Sequence, residues 1–440
     1  MRSIGSSIRV GWQRFTPQHQ LLLAIMGWPL LHHLEQGEDV FQWPSLLQYA
    51  LLIYLLVLAS QQGGWIALRS GSLKHIWVLF CCFVLYVTVV TLVNSPIFLN
   101  GIVGYIKHVQ FVPLLLVSTA IGLDNGLLRR WFVPYVFVLV IILVLPLALS
   151  AIGVDALPER MLYMGPGLAR AGGYVRYRFV FGNPNLTATF VACVMAFCLF
   201  LSVSQLRRVR MAIPVLGILL MGGYLVYVTL SRRIWLILPV VFVVGIILQR
   251  GLRKRAWLIL GAGLVFLCVL CFLWDPIVDR LGKVLLFRDA VPLRQTGPLH
   301  MRLIFWERVV GYLQRPIEWA FGLGAGTIGY AMRNYFHAGY ATVDGYYAIL
   351  LGEYGLGGLL LYCALVVAIL LRLVRSVLQR GLALGHEGVV IGCVAGSLLL
   401  LLAGFVGNTN TSFPHALYLW SFLGIGLAVS TQSESRGNSE

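Results

Sequence analysis

Charge is what this sequence has least of. Asp, Glu, Lys and Arg together make up 11% of its 440 residues, against about 25% in an ordinary soluble domain. The runs 132–149 and 213–230 hold no charged residue at all, which excludes a water-solvated exterior for either. Each is close to the roughly 20 residues that an α-helix needs to cross a hydrocarbon core. Neither alternates between apolar and polar positions as the roughly 10-residue strands of a membrane barrel do, so their backbone polar groups must be satisfied within helices. Acidic residues are the scarcer sign, 16 against 33 basic ones, leaving a formal charge of +17. The basic residues are dealt out in small clusters between apolar runs, which excludes the continuous basic patch of a nucleic-acid-binding domain.

Metal, redox and nucleotide signals are missing too. The eight cysteines (Cys81, Cys82, Cys193, Cys198, Cys268, Cys271, Cys363, Cys393) all fall inside apolar runs and form no cluster with histidine, so they read as small apolar fillers. The stretch Gly322-Leu323-Gly324-Ala325-Gly326 is glycine-rich but has neither the lysine nor the strand–turn–helix setting of a phosphate-binding nucleotide loop. It reads as a tight turn that returns the chain to the bundle. No cofactor and no metal are expected.

What is present is a succession of spans, expected near 18–33, 45–62, 73–93, 99–122, 131–153, 184–203, 211–230, 233–249, 255–273, 346–370, 388–405 and 412–430. With the N-terminus in the cytoplasm, the inward connections carry Arg69 and Lys74, Arg129 and Arg130, Arg207 with Arg208 and Arg210, Arg250 with Arg253, Lys254 and Arg255, and Arg372 with Arg375 and Arg380. That alternation obeys the positive-inside rule and predicts about twelve spans with both ends inside. The apolar run after the first arginines is followed by no small-residue cleavage site, so it is expected to be a span and not a signal peptide. The predicted class is therefore all-α: a polytopic membrane protein with a bundle over 1–273, a large periplasmic loop containing short helices over 274–345, the last spans over 346–430, and a disordered cytoplasmic tail over 431–440.

The loop 274–345 holds eight basic and six acidic residues, and connections longer than about 15 residues are often functional. Its stretch 301–320 is expected to be helical, with Leu303, Trp306, Val309, Val310 and Leu313 as the apolar face. The second long outward loop, 154–183, adds Arg176 and Arg178. Ser231-Arg232-Arg233 joins two apolar runs almost without a loop. Its cations are open to two readings, interfacial anchoring or anion binding, and guanidinium matches phosphate through a bidentate fork. Arg288, Arg294 and Arg302 extend the outward cationic population, whose excess points to a bound phosphate or pyrophosphate head group. Lys107-His108 lies roughly 13 Å into its span at the helical rise. Lys107 either snorkels outward or lines a polar interior. His337 and Asp344 are candidate proton acceptors or orienting groups for a sugar hydroxyl. Asn183-Pro184-Asn185, Asn408, Asn410 and His415 are either sugar-binding groups or helix caps. Outward cations without nucleotide or metal motifs suggest a transferase with a lipid-linked donor; a secondary transporter is the rival, disfavoured by the absence of a recognisable repeat.

The chain resembles the O-antigen ligase and polymerase-like membrane glycosyltransferases. The features that carry the resemblance are Arg178-Phe179 with Asn183-Pro184-Asn185, Thr229-Leu230-Ser231-Arg232, the Arg302…Trp306 helix and Gly322-Leu323-Gly324-Ala325-Gly326. To these is added the run Tyr-Ala-Ile-Leu-Leu-Gly-Glu-Tyr-Gly-Leu-Gly-Gly from Tyr347 to Gly358. The resemblance implies a metal-independent enzyme of the bacterial inner membrane that faces the periplasm and joins glycans carried on undecaprenyl pyrophosphate. It implies pyrophosphate-holding roles for Arg232 and Arg288. The residues themselves offer Arg233, Arg176, Arg178, Arg302, Lys107, Asn183 and Tyr347 as further candidate substrate-binding groups, and Asp344, His337 and Arg288 as the candidate catalytic set. In the ligases a His-Asn pair precedes the Tyr-Leu that opens the next span; here Asp344-Gly345 stands there and His337 lies seven residues earlier. That departure favours a polymerase acting on lipid-linked repeat units. The alternative is a ligase that transfers the glycan to lipid A-core, and less so a polysaccharide transporter. Donor and acceptor glycan lipids are the expected partners, and a chain-length regulator or flippase is compatible with this reading; nucleic acid is not a partner.

Overall fold

The computed structural model describes residues 16–35, 43–61, 71–151, 162–163, 176–177, 183–202, 209–229, 231–249, 298–328, 345–379, 382, 384–407 and 414–437. The expected span 255–273 lies outside them. The helices are α1 (Pro17–Glu35), α2 (Trp43–Gln61), α3 (Lys74–Asn94), α4 (Phe98–Val109), α5 (Pro113–Ile121) and α6 (Val133–Ala151). They continue with α7 (Pro184–Ser202), α8 (Val209–Val228), α9 (Arg232–Leu248), α10 (Pro298–Tyr312), α11 (Pro316–Phe321), α12 (Tyr346–Leu378), α13 (Leu384–Gly404) and α14 (His415–Gly437). A two-residue antiparallel pair, β1 (Leu162–Tyr163) with β2 (Arg176–Tyr177), is the sheet content among the described residues.

This is an all-α, multi-pass membrane protein. Among the described residues, seven segments are long and apolar enough to cross a bilayer: Lys74–Asn94, Phe98–Ile121, Asn125–Leu149, Pro184–Ser202, Met211–Val228, Tyr346–Leu378 and Gly385–Gly404. Their outer faces carry apolar side chains that water would not tolerate in such density, among them Leu85, Val93, Ile142, Leu220, Leu360 and Leu371. Acyl chains solvate them at no such penalty.

The centre of the bundle is α7, whose side chains are buried nearly all round. It packs along α13, which packs along α14, which in turn meets α5. Because lipid supplies little hydrophobic drive between helices, close backbone approach matters more. Glycine provides it. A Cβ at Gly388 or Gly392 of α13 would press on the carbonyls of Phe200 or Phe197 in α7, and one at Gly424 of α14 would press on α5. The stacked rings of Phe197 and Phe422, 4.3 Å apart, fill the space beside this seam.

Cross-helix bonds tie the bundle at both ends. At one end Arg129 donates from Nε to the Leu201 carbonyl at 2.9 Å, satisfying an acceptor that the last turn of α7 leaves open. At the other end the amide of Tyr346 donates to the Gly407 carbonyl at 3.3 Å, joining the start of α12 to the chain just past α13. That second end carries the site.

Several expectations need correction. The span expected as one helix over 99–122 is divided: α4 ends at Val109, a turn follows, and Pro113 opens α5. Proline suits a first-turn position because the missing amide hydrogen has no intrahelical partner there. The helix expected over 301–320 is two, α10 and α11, separated around Gln314. Its apolar face is real at Val309 and Leu313, which are buried, but Val310 is 42% exposed. The span expected to end at 370 runs to Leu378 and is interrupted at Gly355, where φ is 66° and ψ −169°. The tail expected to be disordered from 431 continues as helix to Gly437. Thr431 bonds back from Oγ1 to the carbonyls of Leu427 and Ala428 at 3.1 and 2.9 Å, so its polarity is absorbed within the helix.

Candidate functional site

The site lies where α7, α9, α12 and α14 begin and α3 ends. Asn183 caps α7: its Oδ1 accepts the Asn185 amide at 2.8 Å, and its carbonyl accepts those of Leu186 and Thr187. Ser231 breaks from helical geometry so that α9 can open on Arg232. Arg233, 8% exposed, turns inward and donates from Nη2 to the Asn185 carbonyl at 2.9 Å and to Thr189 Oγ1 at 3.0 Å. Gly407 lies against this guanidinium, which occupies the space a Cβ there would need. His415, at the start of α14, holds the Leu186 carbonyl 2.9 Å from its Nε2. One buried guanidinium thus lies among helix amino termini, whose aligned peptide dipoles give this end of the bundle a positive potential.

Beside it the chain makes an unusual backbone insertion. After α11 the glycine-rich segment 322–328 lies between α4 and the break in α12. The amides of Leu323 and Gly324 donate to the carbonyls of Gly352 and Glu353 at 2.9 and 3.0 Å, just before the break. Tyr86 donates its hydroxyl to the carbonyls of Ala320 at 2.7 Å and Tyr354 at 3.1 Å. Asn94 and Ser95, at the end of α3, donate to the carbonyls of Gly322 and Ala325. Groups freed by interrupting α12 are therefore bonded by protein, as a non-helical backbone within a membrane requires. Positive φ at Gly324 (96°) and Gly326 (72°) makes the turn, and Gly104 of α4 is bare where Gly326 approaches it.

Under this insertion lies a pair of ionisable side chains. His108 Nε2 and Glu353 Oε2 are 2.9 Å apart, at 5% and 2% residue exposure. Glu353 Oε1 also accepts the Ile328 amide at 3.2 Å. Lys107 interacts electrostatically with the same carboxylate. The His108 ring lies 5.2 Å from that of Tyr354, edge to face, and 5.7 Å from that of Tyr346. Tyr346 thereby links this pair to the Arg233 cluster through the bond of its amide to Gly407.

No family model matches the chain, and no curated protein matches it.

The residues singled out from sequence divide as follows. Arg233, Asn183, Lys107 and Tyr347 belong to this end of the bundle. Tyr347 is buried, donates to the Leu401 carbonyl at 3.0 Å and stacks near Phe405 at 4.3 Å, so it joins α12 to α13. The capping alternative for Asn183 is the one its bonds display. Arg232 opens α9, Arg176 lies in β2 and Arg302 lies in α10. Arg178, Arg288, His337 and Asp344 lie outside the described residues, as do Asn408 and Asn410. Sequence reasoning passed over His108 and Glu353 as a pair. The available signal was a carboxylate within the apolar run 346–370, since an ionisable group in a membrane span is a functional candidate by default.

Proposed function

We propose that this protein is a membrane glycosyltransferase that joins glycans carried on a lipid pyrophosphate, acting as a polymerase of lipid-linked repeat units at the periplasmic face of the bacterial inner membrane. The observation that carries the reading is the convergence of the α7, α9, α12 and α14 amino termini around Arg233, with Arg232 at the first position of α9. Helix amino termini and guanidinium groups share one ligand chemistry, that of oxyanions. Arg233 already donates to α7, so its part is to hold the cluster together and add charge. Arg232, with Arg288 from the large loop, is the proposed direct contact to the pyrophosphate.

In the proposed reaction an acceptor sugar hydroxyl attacks the anomeric carbon of the donor. The new C–O bond forms as the bond to the pyrophosphate oxygen breaks, the leaving group departs with its electron pair, and the hydroxyl proton passes to a base. Asp344 is the proposed base or orienting carboxylate, and His337 binds or orients the acceptor. Transfer of the glycan to lipid A-core instead of to another repeat unit is the ligase alternative.

A transporter is the second reading, and the interruption of α12 at Gly355 favours it, because broken helices frame substrate sites in many transporters. Purified protein supplied with undecaprenyl-pyrophosphate oligosaccharide separates the two. Longer glycans formed without nucleotide, and lost in Arg232→Ala and Arg288→Ala, are the expected result. Flipping of the same lipid with no covalent product would reject the transferase.

A further inference from the structure

We propose that His108 and Glu353 form a buried proton-accepting dyad, in which Glu353 fixes the imidazole tautomer and Nδ1 of His108 is the atom that takes up the proton. The proposal is independent of the transferase reading, and its ligand is the proton itself.

The bonding pattern around Glu353 leads to this assignment. Its two oxygens face two separate polar groups, the Ile328 N–H, which donates to Oε1, and the His108 ring nitrogen Nε2, 2.9 Å from Oε2. An ionised Glu353 accepts at both oxygens, and in that arrangement Nε2 carries a hydrogen. The other ring nitrogen, Nδ1, is buried and has no hydrogen-bond partner among the described residues. In the neutral ring Nδ1 bears a lone pair. The reverse arrangement, with a protonated Glu353 donating to Nε2, would put an N–H on Nδ1 with nothing to accept it. Orphaned buried N–H groups are rarer in proteins than under-used acceptors, so the first arrangement is favoured. It has the form of a histidine oriented by a carboxylate through one nitrogen so that the other serves as a base.

Charge balance supports the same state. An isolated carboxylate this far from water is expensive. The neighbouring Lys107 supplies an opposite charge, so Lys107, Glu353 and a neutral His108 sum to zero. Transfer from solvent hydronium breaks an O–H bond and forms an N–H bond at Nδ1, raising the cluster charge by one against the cost of a buried N–H with no acceptor among the described residues. The other titratable groups facing the pair among the described residues are Tyr346 and Tyr354 of α12, with Tyr105 of α4 close to Tyr354. The end of α3 and the segment 322–328 present no ionisable side chain to the pair. Glu353 also links proton uptake to the inserted segment, since Oε1 holds the Ile328 amide while Oε2 holds the ring.

The test reads the proton directly in the full chain, in lipid nanodiscs, labelled with 15N-histidine and 13C-glutamate. Of the nine histidines, the one coupled to a glutamate carboxyl is assigned as His108, and His108→Gln verifies the assignment by removing that signal. On the alkaline side Nε2 should be protonated and Nδ1 bare; on acidification Nδ1 should gain a proton reversibly while the amide spectrum is retained. Glu353→Gln should invert the tautomer. The Ile328 amide claims the new side chain's oxygen, leaving its NH2 group toward Nε2, which must then accept, so the population shifts from mainly Nε2–H to mainly Nδ1–H. A hydrogen on Nδ1 in the alkaline wild type would overturn the proposal. So would a Nδ1 that stays bare down to the lowest pH at which the protein remains folded, or the absence of any glutamate-coupled histidine. If Glu353→Gln does not fold, the wild-type measurement still decides.

Discussion

Replacing Gly326 by alanine tests how firmly its hydrogen bonds hold the inserted segment. At φ 72° an L-residue suffers the left-handed penalty, about 1–2 kcal/mol. Its Cβ would also overlap the Asn100 carbonyl of α4, a backbone atom with little room to yield; overpacking of this kind costs about 1–3 kcal/mol. The strain therefore totals about 2–5 kcal/mol. Against it stand the bonds of Leu323 N to Gly352 O, Gly324 N to Glu353 O and Ile328 N to Glu353 Oε1, with those of Asn94 to Gly322 O and Ser95 to Ala325 O. At about 0.5–1.5 kcal/mol each, they contribute about 2.5–7.5 kcal/mol together. Strain and anchoring are comparable, so the alanine should release the segment while leaving the spans folded. Hydrogen exchange in nanodiscs should show faster exchange at Leu323, Gly324 and Ile328, with the amides of α7 and α13 unchanged. Gly223→Ala is the control, since its added Cβ meets no atom within 4 Å and alanine is favoured over glycine in a helix by about 1 kcal/mol. Unaltered protection of Leu323, Gly324 and Ile328 in Gly326→Ala would refute the reasoning.

Other outcomes follow from neighbouring contacts. Arg233→Ala removes charge-assisted bonds to Asn185 and Thr189 at about 1.5–3 kcal/mol each; thermal unfolding in detergent should show a lowered midpoint, only partly recovered by lysine, and an unchanged midpoint would contradict the assignment. Tyr86→Phe deletes the hydroxyl shared by Ala320 and Tyr354, and a destabilisation of about 1–2 kcal/mol is expected in the same assay. The Glu318 carboxyl is held below the usual carboxylate range, first by the Arg315 amide, then by the Arg315 side chain, and further by the Gln314 amide. A depressed folded-state value gives stabilisation that is present above the unfolded carboxyl's ordinary range and is lost as pH falls through the folded value. Protection factors of the Gln314 and Arg315 amides, taken against the intrinsic exchange rate at each pH, should accordingly fall on acidification in wild type and lose that pH dependence in Glu318→Gln. Reporter fusions at Arg208 and Arg253 should report cytoplasm and one at Pro292 periplasm; a cytoplasmic signal at Pro292 would sink the proposed orientation.

The seven membrane-length helices among the described residues were legible because length and apolarity are local properties. The run 132–149 cannot be solvated by water in any arrangement, and its helix follows from that alone. The interruption of α12 was not legible for the opposite reason. Glycines at 352, 355, 357 and 358 are tolerated in membrane helices, and nothing in their spacing selects Gly355 for the break. The break depends on the amides of Leu323 and Gly324 and the hydroxyl of Tyr86, which come from distant parts of the chain. The pairing of His108 with Glu353 spans 245 positions and leaves no periodic trace. Lys107-His108 was recognisable as polarity within a span, but not which of its members would be paired. The glycine-rich segment was legible as a turn, while its insertion against α4 depended on Gly104 being bare at the point of approach.

An uninterrupted α12 would satisfy its own backbone without help from Tyr86 or the inserted segment. The break is therefore not required for crossing the membrane. What it permits is a close approach: Gly355 has no Cβ where the backbone of Ala320 and Gly322 lies against it, and Gly322 has none where it meets Glu353 and Tyr354. That approach brings the Ile328 amide to a carboxylate which α4 already engages through His108. A structural pin alone could be made from a neutral side chain, because asparagine or glutamine also accepts an amide hydrogen. A buried carboxylate with a lysine and an imidazole beside it is a costlier arrangement than such a pin needs. Its cost is intelligible if the protonation of the pair has a use, and the tautomer of His108 is the observable that decides whether it does.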